Sequence, residues 1–330
     1  MYKKNAVKMM KIYEEALLEN AEGYERARIP GIIRTGRENL IVYYELRKAD
    51  SDWSVIDIGM KKSTDGGKTF SQRKILVSGE NENTVNNPLM IADGDVIHFL
   101  YCVNYHRVFY MKSCDEGDSW SEPIELTDSI KEQTGDFFWS CIATGPTHGI
   151  KLSSGRLLVP IWLAFNKEDE KSHHPSVISV LYSDDKGASW KVGKIYKELI
   201  DPSEFSVAQL SNGSIVANIR HENEEKCRAV GTVNENAEIS EVHFAQYLPD
   251  PVCCGGMCGF GEELYFTNCE SEASRINLTL KRIHGEEVTD KLFLSEKGGY
   301  SDIALSADGK EACVVYEHEK TLKLISVFVG

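Results

Sequence analysis

Ser63-Thr64-Asp65-Gly66-Gly67-Lys68-Thr69-Phe70, Ser113-Cys114-Asp115-Glu116-Gly117-Asp118-Ser119-Trp120 and Ser183-Asp184-Asp185-Lys186-Gly187-Ala188-Ser189-Trp190 share one pattern, Ser-x-Asp-x-Gly-x-Thr/Ser-Trp/Phe. Their starts lie 50 and 70 residues apart, so the repeat is not locked to one period. Each copy follows an apolar run and precedes another, which makes each a hairpin turn. The chemistry is local: an Asp carboxylate accepts backbone N–H groups of its own turn, Gly allows a positive φ, and the aromatic residue pins the turn to its sheet. Ser306-Ala307-Asp308-Gly309 reads as a degenerate further copy.

Outward from these turns, the chain is a series of short apolar runs. Leu40-Ile41-Val42-Tyr43-Tyr44, Val96 to Val103, Leu157 to Trp162, Val177 to Tyr182, Ser214 to Ile219 and Ala312 to Tyr316 are of strand length and rich in β-branched and aromatic residues. Long helical segments do not alternate with them, which argues against a parallel α/β sheet. One short amphipathic turn is predicted over Val7 to Glu19. The pattern predicts an all-β protein.

The 330 residues are 42% hydrophobic and 27% charged, with a formal net charge of −14. Such a negative chain repels phosphate and is a poor partner for nucleic acid. If its ligand is an anion, a local cationic pocket must overcome that field. No apolar run reaches the 18 or more residues of a membrane span. Nine cysteines, an odd number, and an N-terminus without an apolar leader core fit a cytoplasmic chain; a trimmed leader would make it a secreted one.

The three turns resemble the Asp boxes of the BNR repeat, which occur mostly in six-bladed β-propellers. Six blades would allow about 55 residues each, enough for four strands and their loops. The expected organisation is one propeller over residues 1–330. Asp boxes lie on the rim and speak for fold rather than function.

Three arginines stand at strand ends: Arg28 in Arg28-Ile29-Pro30, Arg220 after Ser214 to Ile219, and Arg275 before Ile276. Each alone reads as a salt-bridged edge residue. Around one propeller axis they could converge and bind a carboxylate bidentately. Here the chain, roughly from Tyr24 to Tyr316, resembles the exo-α-sialidases of glycoside hydrolase family 33. Arg28-Ile29-Pro30 resembles the family's first triad arginine. Glu204, with the segment closing at Arg220, is similar to the catalytic glutamate and second arginine. Arg275 resembles the third. Gly299-Tyr300-Ser301-Asp302 resembles the strand of the nucleophilic tyrosine, and Val314-Val315-Tyr316-Glu317 the closing strand, whose glutamate buttresses Arg28. Glu45-Leu46-Arg47 is similar to a segment whose arginine lies near the sugar 4-hydroxyl. The acid/base then falls on Asp52, with Asp50 the other candidate, and Asp57 is read as structural. Asn87 resembles a contact to the N-acyl group or the 4-hydroxyl.

The resemblance implies a retaining exo-α-sialidase, a monomer acting on sialylated oligosaccharides, glycoproteins or glycolipids without cofactor or metal. A non-catalytic glycan-binding propeller is the alternative, but Tyr300, Glu204 and Asp52 are all present. An Asp-box glycosidase for a neutral sugar would leave three arginines without an anion. Cys253-Cys254-Gly255-Gly256-Met257-Cys258 lacks the histidine or second cysteine pair of a tetrahedral metal set. The run from Asn166 to Pro175 reads as a solvated loop with His173 and His174 facing water, or overhanging the site. Lys281 to Glu287, where relatives often carry another Asp box, is predicted to shorten its blade.

Overall fold

The computed structural model describes residues 10–330. The strands form six antiparallel sheets arranged as the blades of a propeller. From the centre outward, blade 1 comprises Arg26–Arg34, Leu40–Arg47, Ile56–Ser63 and Lys74–Val77. The inner strands of the next four blades are Val85–Asp93, Cys141–Thr144 with Ile150–Lys151, Pro202–Gln209 and Gly256–Phe260. Blade 6 runs Ser301–Leu305, Glu311–His318, Thr321–Phe328 and then Lys11–Glu19. A helix, Thr127–Thr134, lies between blades 2 and 3. No helix among the described residues is long and apolar enough to cross a membrane.

The core is divided into wedges, each between two neighbouring blades. Ile41 and Ile58 of blade 1 pack with Ile97 and Phe99 of blade 2. Trp162 and Ile178 of blade 3 meet Phe205 and Ile219 of blade 4. Leu278 and Leu280 of blade 5 meet Val314 and Ile325 of blade 6. Middle strands are therefore covered on both faces, which is why they read as continuous apolar runs rather than alternating ones.

Lys11–Glu19 corrects the predicted turn over Val7 to Glu19. It is an extended strand, antiparallel to Thr321–Phe328, while Val7 to Met9 lie outside the described residues. The Glu, Ala and Leu residues of this stretch favour helix locally, but the edge of Thr321–Phe328 supplies backbone partners that override propensity. The pairing ties the N-terminal strand to the C-terminal one and closes the ring. Glu317 accordingly lies on the second strand of blade 6, not on a closing strand. Nor is blade 5 shortened: Ile276–His284 and Glu287–Lys297 are long partners, with Lys281 buried and donating to Asn268 Oδ1 at 2.6 Å.

The Asp boxes have the expected local chemistry. Ser113 Oγ donates to Asp115 Oδ1 at 2.8 Å and accepts the Gly117 N–H at 2.8 Å. Asp115 accepts the Ser119 N–H at 2.9 Å and its hydroxyl at 2.5 Å. Equivalent bonds recur around Asp65 and Asp185. Gly117 takes φ +85°, a region a Cβ would strain. Phe70, Trp120 and Trp190 pack onto the wedges beneath.

Hydrogen bonds from Ser119 hold the Asp115 carboxyl down at about 2. A depressed carboxylate stabilises the fold above its unfolded value of about 3.9, and the contribution fades as pH falls through the folded one. Asp115→Ala should lower the unfolding midpoint by about 1–3 °C at neutral pH. The difference from the parent should shrink from about pH 4 downward in parallel thermal melts.

Candidate active site

Three inner strands break register where they meet the axis. In blade 1 the break lies between Arg28 and Gly31, in blade 2 between Asn86 and Leu89, and in blade 4 between Pro202 and Phe205. Pro30 and Pro88 sit at the first two, where a missing N–H costs the ladder nothing. Ile29 takes φ +53° and Asn87 φ +51°. For β-branched Ile29 this is strain of about 1–3 kcal/mol. It is held because the Ile29 N–H donates to Glu317 Oε1 at 3.0 Å. Each break re-aims a neighbouring side chain toward the axis.

There a cavity of about 130 Å³ is lined by Arg28, Arg47, Arg220 and Arg275, with Asp52, Glu204, Asn87 and Tyr300. These come from five blades, and 272 residues separate Arg28 from Tyr300. The four arginines against two carboxylates give the lining an excess of positive charge inside a chain of net charge −14.

Tyr300 is at the centre. Its hydroxyl donates to the Glu204 carboxylate, whose oxygens lie at 2.6 and 2.7 Å. Arg220 Nη1 donates to the same hydroxyl oxygen at 2.7 Å and also to Glu204 Oε2. The guanidinium carbons of Arg28 and Arg275 each lie 5.1 Å from the Tyr300 ring centroid. Burial pushes the Tyr300 phenol well above its usual range although Arg220, Arg275 and Arg28 pull the other way. The phenol is therefore neutral at rest, beside a carboxylate placed to take its proton.

Glu317 lies behind the arginines. It accepts Arg28 Nε at 3.0 Å and the backbone N–H of Tyr300 at 3.2 Å, fixing the Arg28 side chain and the Tyr300 main chain at once. Burial raises its carboxyl, but Arg28 and the Ile29 N–H more than offset that, and it lies below the ordinary range. Arg275 is held lightly, by the Val252 carbonyl at 3.5 Å. Most of its N–H groups remain available to an anion.

Asp52 reaches the cavity from the loop after Leu40–Arg47; Asp50 points instead to Arg26, at 2.6 Å. Arg47 Nη1 donates to Asp52 Oδ1, and Arg28 Nη1 is 3.8 Å from the same oxygen. Burial raises the Asp52 carboxyl, but Arg47 and Arg28 prevail and hold it below the ordinary value. Asp57 lies apart, accepting the Gly79 N–H at 2.7 Å and the Tyr24 hydroxyl.

Several residues here carried no signal in the sequence. Glu45, fully buried, accepts Arg47 Nε at 2.8 Å and the Asn87 N–H at 2.8 Å, so it orients both. Tyr105, Trp162 and Ser203 also line the cavity. His173 and His174 line it too, so the loop overhangs the site; His173 is half-buried there, which corrects its water-facing reading, while His174 stays exposed. The His173 ring packs 4.7 Å from Tyr105, 5.1 Å from Trp162 and 5.9 Å from Trp53. The charged composition of residues 166–172 marks a solvated loop and hides the aromatic seat at its end. Cys253, Cys254 and Cys269 form a buried cluster with Ile29 and Tyr300, apart from Cys258.

A sialidase of Bacteroides fragilis is 26% identical over 336 aligned positions, covering 88% of this chain and 59% of that protein. The chain thus spans well under two thirds of the length of that relative. Among solved structures, a Hadza microbial sialidase superposes with a TM-score of 0.83 at 23% identity, over 94% of this chain and 68% of the other. Trypanosoma rangeli sialidase, determined with 2,3-difluorosialic acid as a covalent intermediate, gives 0.76 at 17% identity, over 97% and 58%. At these identities the structures establish a shared propeller fold. The BNR repeat-like domain model matches residues 81–312, and the chain belongs to that family.

Proposed function

We propose that this chain is a retaining exo-α-sialidase that removes terminal α-linked sialic acids from glycans. The observation that carries the reading is the Tyr300 hydroxyl, held between Glu204 and Arg220 in a cavity lined by four arginines. Similarity to named sialidases along most of the chain supports it.

The chemistry explains this choice of residues. The anomeric carbon of sialic acid bears a carboxylate, so an anion must be held against the reacting centre. Arg28, Arg220 and Arg275 are the ligands for it. A carboxylate nucleophile would be repelled by that anion, whereas a neutral phenol is not; tyrosine nucleophiles are a known exception to the two-carboxylate scheme. Tyr300 Oη attacks the anomeric carbon as Glu204 takes its proton. Asp52 protonates the departing glycosidic oxygen, then removes a proton from the water that cleaves the sialyl–tyrosine bond. Two inversions give retention. Arg47 and Asn87 line the same cavity, both held by Glu45 behind them. The scheme uses side chains alone.

The direct assay is fluorescence release from a 4-methylumbelliferyl α-sialoside by the purified chain. Turnover supports the reading. Binding of sialyllactose without turnover would favour the glycan-binding propeller, and neither would end the proposal. Within this scheme Arg275→Ala should lower kcat/KM by about tenfold to several hundredfold, since a charge-assisted bond is worth roughly 1.5–3 kcal/mol. A substrate whose carboxylate is reduced to an alcohol should be poor for the parent and insensitive to Arg275→Ala.

A further inference from the structure

The inner strands bound a second concavity. Where their first residues line the sugar-sized cavity, their last residues line a cleft of about 390 Å³, among them Arg34, Ala92, Gln209, Phe260 and Leu305. That volume falls in the range of small-molecule sites. His148 and Cys258 open onto it.

In this cleft three side chains from three blades form a chain of contacts. Cys258 Sγ lies 3.7 Å from His148 Nε2, and His148 Nδ1 lies 2.9 Å from Asp302 Oδ1. Asp302 is fully buried and also accepts the Ile32 N–H and the Ile303 N–H, each at 2.9 Å. An ionised carboxylate only accepts, so Nδ1 carries the proton that faces it. This leaves Nε2 facing the Cys258 sulfur, so that the thiol proton can sit on the ring nitrogen as Cys258 becomes a thiolate. Gly256 permits the close approach, since a Cβ there would fall 2.5 Å from Asp302 Oδ1. At rest the thiol donates to the Ile303 carbonyl at 3.0 Å, a bond it gives up when its proton passes to His148. The arrangement is that of a nucleophile, a base and a group orienting the base.

We propose that Cys258, His148 and Asp302 form a thiol–disulfide exchange site in which Cys258 reacts with low-molecular-weight disulfides. Cys258 gives its proton to His148 Nε2. The thiolate attacks one sulfur of the disulfide, forming a new S–S bond as the old one breaks. The departing thiolate takes the proton from His148 and leaves as a thiol, so one disulfide and one thiol yield one mixed disulfide and one thiol. Burial opposes charge on His148, but Asp302 and the Cys258 sulfur hold its imidazole well above the usual histidine range, which favours the ion pair this step passes through. Arg34 and Lys151 at the cleft are already paired with Glu38 and Asp93, so they add little to recognition. Of the nine cysteines, only Cys114 and Cys258 are not buried. Cys114 lies in an Asp box and serves as an internal reference.

The test treats the full chain with oxidised glutathione at neutral pH, stops the reaction with acid, and maps mixed disulfides by peptide mass spectrometry. Cys258 should react at least about tenfold faster than Cys114, because His148 stands beside it to take the thiol proton. His148→Gln should bring the Cys258 rate to that of Cys114 or below, while the Cys114 rate stays unchanged. Cys102 and Cys313, both buried, should stay unmodified in a folded variant. Equal rates at Cys258 and Cys114 in the parent chain would overturn the proposal without any variant. So would a Cys258 rate that survives His148→Gln in a folded protein, because His148 and Asp302 would then be a structural tie across the channel.

Discussion

Tyr300→Phe should lower kcat by on the order of a thousandfold or more while leaving affinity for a sialic acid analogue largely intact. A nucleophile is made only once in a site, and its loss removes a whole route rather than a fraction of a barrier. The variant should fold, because Arg220 still donates to Glu204 when the phenol oxygen is gone. A free tyrosine titrates at about 10 and is a weak nucleophile at neutral pH without a base beside it. In the proposed scheme Glu204 is that base, at hydrogen-bond distance across 96 residues of sequence. Incubation of the parent with 2,3-difluorosialic acid should leave one fluorosialyl mass on the peptide containing Tyr300, since fluorine at C3 slows the breakdown of the adduct. Tyr300→Phe should remove the label. Label on Glu204 or Asp52, or full activity in the phenylalanine variant, would refute this mechanism even for a chain that proves to be a sialidase.

The second large effect is expected at Asp52. Asp52→Ala should lower kcat/KM by about a hundredfold to ten-thousandfold on sialyllactose, whose leaving sugar needs protonation, and much less on an aryl sialoside. Asp50→Ala should be close to the parent, because Asp50 is spent on Arg26 at 2.6 Å. The reverse pattern would move the role to Asp50. The pH dependence has a definite sign. In the free site Arg47 and Arg28 hold the Asp52 carboxyl below its ordinary value, despite burial. An acid must be protonated to act, so kcat/KM for sialyllactose should fall as pH rises through the carboxylate range. A bound substrate brings its own carboxylate to Arg28 and offsets part of that positive field. The limb of kcat should therefore lie at higher pH than the limb of kcat/KM, with both flatter for an aryl leaving group.

Asp boxes were legible because every bond in them is local: Ser113 to Asp115, Asp115 to Ser119, Ser113 to Gly117. A pattern of eight residues contains its own physics; three copies between apolar runs point to an all-β protein, and their resemblance to Asp boxes to a propeller. The order of Arg28, Glu204, Arg220, Arg275, Tyr300 and Glu317 was legible only through family resemblance; spacing alone left each arginine a plausible edge residue. Their convergence depends on strand ends from separate blades meeting at one axis. Three dimensions separated Asp52 from Asp50, two residues apart in one loop, by turning one to Arg47 and the other to Arg26. They also placed Glu45 behind Arg47 and seated His173 on Tyr105, Trp162 and Trp53. The helix-favouring stretch Lys11–Glu19 became a strand because Thr321–Phe328, some 300 residues away, offered it an unpaired edge. Local hydrogen bonding and apolar periodicity can be read from neighbours in sequence. Ring closure, pairing across an axis and the cavity itself are set by residues that become neighbours only when all six blades are in place.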